Sequence, residues 1–177
     1  MSSHAVVRTH QEPALVLWGS PGREEGSVLD DLLEWHPQIW TTPEAIPFTE
    51  ARNLKPDGNI SKHLEHDKGP LFWVLETLLS TKVREINLVL GSGYEPEPLL
   101  DMVLSCPISV TLWCQGYRYF RAAPPTLRLW VQPLGALSVW EDAQWQVQPI
   151  ASEGFHALEI SQASLIRYRP FPKNHSM

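Results

Sequence analysis

Short apolar runs, each cut off by glycine or proline, set the rhythm of this chain. Residues 14–18 (Ala-Leu-Val-Leu-Trp) are apolar throughout and run into Gly19-Ser20-Pro21-Gly22, the pattern of a buried strand entering a tight turn. Ser27, followed three residues later by Asp30, predicts a helix start, with Val28, Leu29, Leu32 and Leu33 as its inner stripe. Residues 86–90 (Ile-Asn-Leu-Val-Leu) repeat the first arrangement and end in Gly91-Ser92-Gly93. Between these strands, Gly69-Pro70 opens a second helix. Leu71, Phe72, Trp73, Val74, Leu75, Leu78 and Leu79 make it apolar around most of its circumference. A third helix starts at Pro96 and Pro98 and runs through Leu104, and residues 108–113 alternate as a β-branched strand.

Strand, helix and strand in this order predict right-handed crossovers in a parallel sheet. From Leu127 the period shortens to two. Leu127, Leu129 and Val131 alternate with Arg128 and Trp130, then Pro133-Leu134-Gly135, residues 137–140, Glu141-Asp142 and residues 145–147 follow as turns and strands. The expected fold class is therefore α/β: a three-layer Rossmann-like core with a mostly parallel sheet, then a C-terminal antiparallel β-meander. It is read as a single domain over residues 1–177, with the core at about 14–121 and the meander at about 125–170. Trp130, Trp140 and Trp145 are expected to meet across the meander strands. Residues 158–168 fit either a strand or a short helix. Residues 37–68, with Pro37, Pro43, Pro47, Pro56 and Asp57-Gly58, exclude a long regular element.

Charge narrows the partners. Residues 1–114 carry eight Lys/Arg against sixteen Asp/Glu, and residues 115–177 carry six against four. A mildly basic last third is too weak a footprint for duplex nucleic acid, whose phosphates demand many cations. Tyr117-Arg-Tyr-Phe-Arg121 mixes rings and cations as single-stranded RNA binders do, yet as a strand it equally places Tyr117 and Tyr119 on one face and Phe120 in the core. Cys106 and Cys114 border and end apolar runs, which fits buried, reduced thiols and a cytoplasmic setting. The N-terminal residues lack an apolar leader run, and no stretch reaches the ~18–20 apolar residues of a membrane span.

The two glycine turns are the leading candidates for chemistry. In a parallel sheet, ligands collect beyond the carboxyl ends of the strands, and glycine lets backbone N–H groups approach an anion. Gly19, Ser20, Gly22, Gly91, Ser92 and Gly93 are thus the candidate cofactor-binding set for a nucleotide or other small anion. Neither turn matches a phosphate-binding Gly-Lys-Ser/Thr loop or a full dinucleotide fingerprint, so the cofactor itself stays unassigned.

Residues 15–22, Lys68-Gly69 and residues 88–95 together resemble the NYN/PIN-like nuclease layout over about half the chain. Gly19 and Tyr94 stand where that resemblance expects carboxylates, and Leu71 replaces the acid after Lys-Gly; Glu95, Glu97 and Asp101 remain nearby. The resemblance therefore implies an inactive relative, because metal-dependent hydrolysis needs clustered carboxylates.

His63, Glu65, His66 and Asp67 are the densest potential ligands, with His156 far off in sequence, and they read as a solvated loop segment; no metal site is assigned. No catalytic set converges in the sequence. Eight Trp and a helix apolar nearly all round instead predict a non-catalytic binding or assembly module, acting through protein–protein contacts with a protein partner or a second copy.

Overall fold

The computed structural model describes residues 13–60, 69–81, 83–132 and 135–170, and the chain divides into two compact units, Met1–Tyr94 and Glu95–Met177. In the first unit, β1 (Ala14–Trp18) lies between β2 (Gln38–Thr41) and β4 (Glu85–Leu90), with the two-residue β3 (Gly58–Asn59) beyond β2. All three pairings are parallel. Burial explains the continuous apolar runs. Ala14, Leu15, Val16 and Leu17 are at most 1% exposed, as a central strand covered on both faces requires.

α1 (Gly26–Leu33) begins one residue before the expected cap, so Ser27 lies inside it and Glu25 occupies the cap position without capping the helix through its side chain. The proline-rich stretch holds more order than its composition suggests. Pro43–Ala45 forms a 3-10 turn, and α2 (Ile46–Ala51) takes Pro47 in its first turn, where a missing N–H costs nothing.

α3 (Pro70–Ser80) buries Leu71, Val74, Leu75 and Leu78, a single stripe at helical spacing, while Phe72, Trp73 and Leu79 are only half-buried. The helix, apolar around most of its circumference, is thus fully buried along one stripe only. Trp73 instead spends its ring edge-on against Trp40, 6.2 Å away.

The second unit departs furthest from expectation. After α4 (Glu97–Ser105) come seven strands: β5 (Ser109–Cys114), β6 (Tyr117–Ala122), β7 (Thr126–Val131), β8 (Ala136–Glu141), β9 (Gln144–Gln148), β10 (Gly154–Glu159) and β11 (Ser164–Arg169). Five of them follow the order β5-β6-β11-β8-β9, every neighbouring pair antiparallel. β7 leaves that order and pairs with β10 as a separate antiparallel ribbon.

Two corrections follow. The strands are mixed, with parallel pairing among β1, β2, β3 and β4 and antiparallel pairing among β5, β6, β11, β8 and β9, so a mostly parallel three-layer Rossmann-like core is wrong. A sequential meander is wrong too, because the ambiguous residues 158–168 supply β11, which separates β6 from β8. Trp140 and Trp145 do meet, at 5.0 Å, but Trp130 finds Phe155 rather than another Trp.

The physical reason lies in which residues the ribbon can bury. Leu127, Leu129 and Val131 of β7 and Leu158 of β10 pack onto Ala122, Leu137, Val139, Ile166 and Tyr168, making a sandwich core. Each fully buried aliphatic side chain there stabilises the fold by about 1.5–3 kcal/mol relative to exposure. A flat meander would leave the same residues wet. Two-residue turns with positive φ throughout, Gln115-Gly116 and Asp142-Ala143, close the β5–β6 and β8–β9 hairpins.

Phe120 packs against the sandwich core as the alternation of residues 117–121 predicts, but it is only half-buried, and Tyr119 on the other face of β6 is the more buried ring. Burial pushes the Tyr119 hydroxyl up to about 12, opposed in part by Arg167. The raised value belongs to the folded state. The protonated phenol therefore favours folding fully below about pH 10, and that contribution is lost as the pH rises through about 12. Tyrosinate absorbance in wild type should show one late-titrating ring that disappears in Tyr119→Phe; identical titration curves would refute this assignment.

Cys106 and Cys114 are buried free thiols. Among the described residues, no helix is long and apolar enough to cross a membrane.

Candidate functional site

β1 and β4 run side by side in matched register, Ala14 opposite Ile86 and Trp18 opposite Leu90. Their carboxyl ends therefore deliver the two glycine turns to the same place. The contact is intimate. Gly91 N–H donates to Trp18 C=O at 2.7 Å and Ser92 N–H donates to Ser20 C=O at 3.2 Å.

Gly91 has no room for a side chain: a Cβ there would lie 2.5 Å from Ser20 O and 2.7 Å from Gly19 C. Gly19 has φ +84, a conformation glycine adopts freely, and the Tyr94 ring packs over its Cα, where a Cβ would sit 2.6 Å from the ring. The Tyr94 ring is in turn edge-on to Trp18 at 6.4 Å.

The turns are thus locked to each other by backbone, and this decides which groups stay available. Gly19 N–H is taken by Thr42 Oγ1 at 2.9 Å, and Gly91 and Ser92 N–H are taken by the opposite turn. Among the described residues, the N–H groups of Ser20 and Gly93 have no protein partner, and Ser20, Ser92 and Gly93 are exposed. Gly93, at φ +93, has open space where a Cβ would stand. Of the six candidate residues, Ser20, Ser92 and Gly93 can face a ligand, while Gly19 and Gly91 make the close approach possible. Gly22 belongs with neither group, for its Cα is backed by the Glu25 carboxylate, whose Oε2 lies 2.7 Å from where a Cβ would be.

Four further residues join this edge that sequence reasoning missed. β2 ends at Thr41 and the chain continues through Thr42; both are essentially buried. Thr41 Oγ1 donates to Asn59 Oδ1 at 3.3 Å, and Asn59, exposed, ends β3 opposite Thr41. Buried Glu25, 5% exposed, sits between the first turn and α1. The only cue was the polar Thr-Thr pair directly after an apolar run. Nothing in the local pattern says that four parallel strands bring Thr41, Asn59 and the glycine turns to one sheet end.

Such an edge presents backbone donors, hydroxyls and an amide to whatever lies beyond the strand ends. Those groups suit an anionic or polyhydroxylated ligand. Among the described residues there is no group of three or more His, Cys, Asp or Glu that could hold a metal ion. His63, Glu65, His66 and Asp67 lie outside the described residues, as does Lys68; His156, on β10, donates its ring Nε2–H to Ser152 C=O at 3.0 Å. Glu95, Glu97 and Asp101 are exposed: Glu95 precedes α4, Glu97 begins it and Asp101 lies midway along it.

Solved structures share this arrangement of elements. Thiamine pyrophosphokinase from Bacillus subtilis superposes with a TM-score of 0.63 at 10% identity, over 90% of this chain and 100% of that one. A probable thiamine pyrophosphokinase from Staphylococcus saprophyticus gives 0.57 at 10% identity, over 90% and 99% of the two chains. Thiamin pyrophosphokinase from Geobacillus thermodenitrificans gives 0.51 at 11% identity, over 91% and 99%. The fold is thiamine pyrophosphokinase-like.

At these identities the likeness concerns fold alone. No protein-family model matches the sequence, and no curated protein matches it. The fold nonetheless overturns the expected non-catalytic assembly module on a Rossmann-like core, since the structures that share its thiamine pyrophosphokinase-like fold are enzymes by name. It equally displaces the NYN/PIN-like reading, whose residues 88–95 form here the end of β4 and a turn locked against β1.

Proposed function

We propose that this chain is a phosphoryl- or pyrophosphoryl-transfer enzyme that binds the phosphates of a nucleoside triphosphate at the glycine edge of its first unit. The observation that carries this reading is the locked pair of turns after β1 and β4, which leaves the Ser20 and Gly93 N–H groups without protein partners beside the Ser20 and Ser92 hydroxyls. Parallel strands gather such donors at their carboxyl ends, where phosphate-bearing ligands bind in open α/β sheets. The thiamine pyrophosphokinase-like fold supports transfer chemistry and makes thiamine the first acceptor to test. Positioning and charge stabilisation dominate such reactions, so a rigid donor edge is the part the protein must supply.

Ligand-induced stabilisation tests the binding half. A ligand selective for the native state raises the unfolding midpoint. Adenosine triphosphate with magnesium should do so in wild type and lose most of the shift, measured from each protein's own ligand-free midpoint, in Gly93→Ala, whose Cβ enters open space beside the donors. Phosphorus NMR of the same mixture plus thiamine should show a new pyrophosphate ester. Absence of any midpoint shift across a panel of nucleoside triphosphates would overturn the proposal.

A further inference from the structure

On one face of the β5-β6-β11-β8-β9 strands, four side chains stand in a cross-strand row. Tyr119 of β6 is opposite Arg167 of β11, Arg167 is opposite Ser138 of β8, and Ser138 is opposite Val147 of β9. Residues two along each strand share the face, which adds Tyr117, Arg169 and Trp145. The Arg167 guanidinium lies 4.7 Å from the Trp145 ring centroid and 5.2 Å from that of Tyr117, and Arg169 lies 5.2 Å from the same Tyr117 ring. Arg167 Nη2 donates to Ser138 Oγ at 3.4 Å, and its Nε is buried with no partner among the described residues.

Two guanidinium groups therefore share one tyrosine ring. Among the described residues no carboxylate pairs with Arg167. The carboxylate felt from the helix side is Glu97, whose charge acts on Tyr119. Arg167 thus brings a positive charge to this face with no carboxylate paired to it among the described residues. Partly burying such a cation is costly, and ring stacking returns only part of it. Access is open: Tyr117, Trp145, Arg167 and Arg169 are half-buried, and Val147 at the end of the row is 75% exposed.

We propose that this row is a binding site for a small planar organic anion, an aromatic ring bearing a carboxylate. The carboxylate meets the Arg167 guanidinium, whose planar fork suits it, and the ring lies against Trp145 and the exposed Val147. This site is built entirely from the second unit and does not depend on the nucleotide edge of the first.

Benzoate is the probe, followed by indole N–H shifts in NMR of the full chain, with benzyl alcohol as its uncharged counterpart. Benzoate should shift one tryptophan signal saturably, and benzyl alcohol should bind at least tenfold more weakly. Arg167→Gln should weaken benzoate about tenfold or more, the value expected for losing a charge-assisted hydrogen bond. Arg128→Gln, on the ribbon, should leave binding unchanged. Val147→Glu places a carboxylate on the exposed end of the row without touching the core, and should abolish binding even if Arg167→Gln does not fold. The proposal is overturned by any of three results: no saturable shift, equal affinity for benzyl alcohol, or wild-type affinity in Val147→Glu.

Discussion

Gly91→Ala lowers the stability of the chain by about 3 kcal/mol or more, measured by denaturant unfolding. The methyl group would stand 2.5 Å from Ser20 O and 2.7 Å from Ser20 N, both backbone atoms of a turn that is itself bonded to Ser92 and Thr42. A flexible side chain would swing aside; these atoms move only if β1 and β4 separate. The expected fall in melting temperature is roughly 6–12 °C for a chain of this size. Gly93→Ala, by contrast, meets no atom and carries only the cost of a side chain at positive φ, about 1–2 kcal/mol. The contrast is the test. Equal effects at the two positions would mean that the turns do not interlock.

Ile166→Ala costs about 3–4 kcal/mol, the range for emptying a well-packed aliphatic site. Ile166 is fully buried on β11, between Phe120 of β6 and Val139 of β8, beneath the β7–β10 ribbon. Little around it can collapse, because the strands on both sides are hydrogen-bonded and the ribbon covers the face. A loss below about 1 kcal/mol would show that β11 is not held between β6 and β8. The same variant should leave the glycine turns intact, which native-state hydrogen exchange of Gly91 and Ser92 can verify.

Much of the first unit was legible from the sequence. Residues 14–18, apolar throughout and ended by glycine, fit a strand covered on both faces; residues 86–90 repeat the pattern with Asn87 as one interruption, and such runs separated by helices pair in parallel. Helices α3 and α4 begin at prolines and were placed correctly for that reason. β2 and β3 were hidden, since Gln38–Thr41 mixes polar and apolar residues among prolines, and β3 is two residues long. Without them, Thr41, Thr42 and Asn59 had no place in the site.

The second unit was legible strand by strand but not in its order. Alternation in β7 and β8 is equally good for a meander or for two layers, and only long-range packing separates the two. Glu159 to Ser164 is where that choice is made. The chain leaves the ribbon after β10, buries Ile160 and returns as β11 in the middle of the other strands. No local period encodes such a return. The aromatic and basic residues of 117–121 were recognised, but Arg167 and Arg169 lie some fifty positions away in sequence, so their meeting on Tyr117 was invisible.

β9 ends the strand order, and its far side presents unpaired backbone groups. Gln-Trp-Gln-Val-Gln is free of charge, glycine and proline, a composition prone to stack on copies of itself into cross-β fibrils. What restrains it is its punctuation: Glu141 and Asp142 precede the strand and Pro149 follows it, gatekeepers that keep a would-be template short. Three residues outside every site described above thus guard the open edge of this strand.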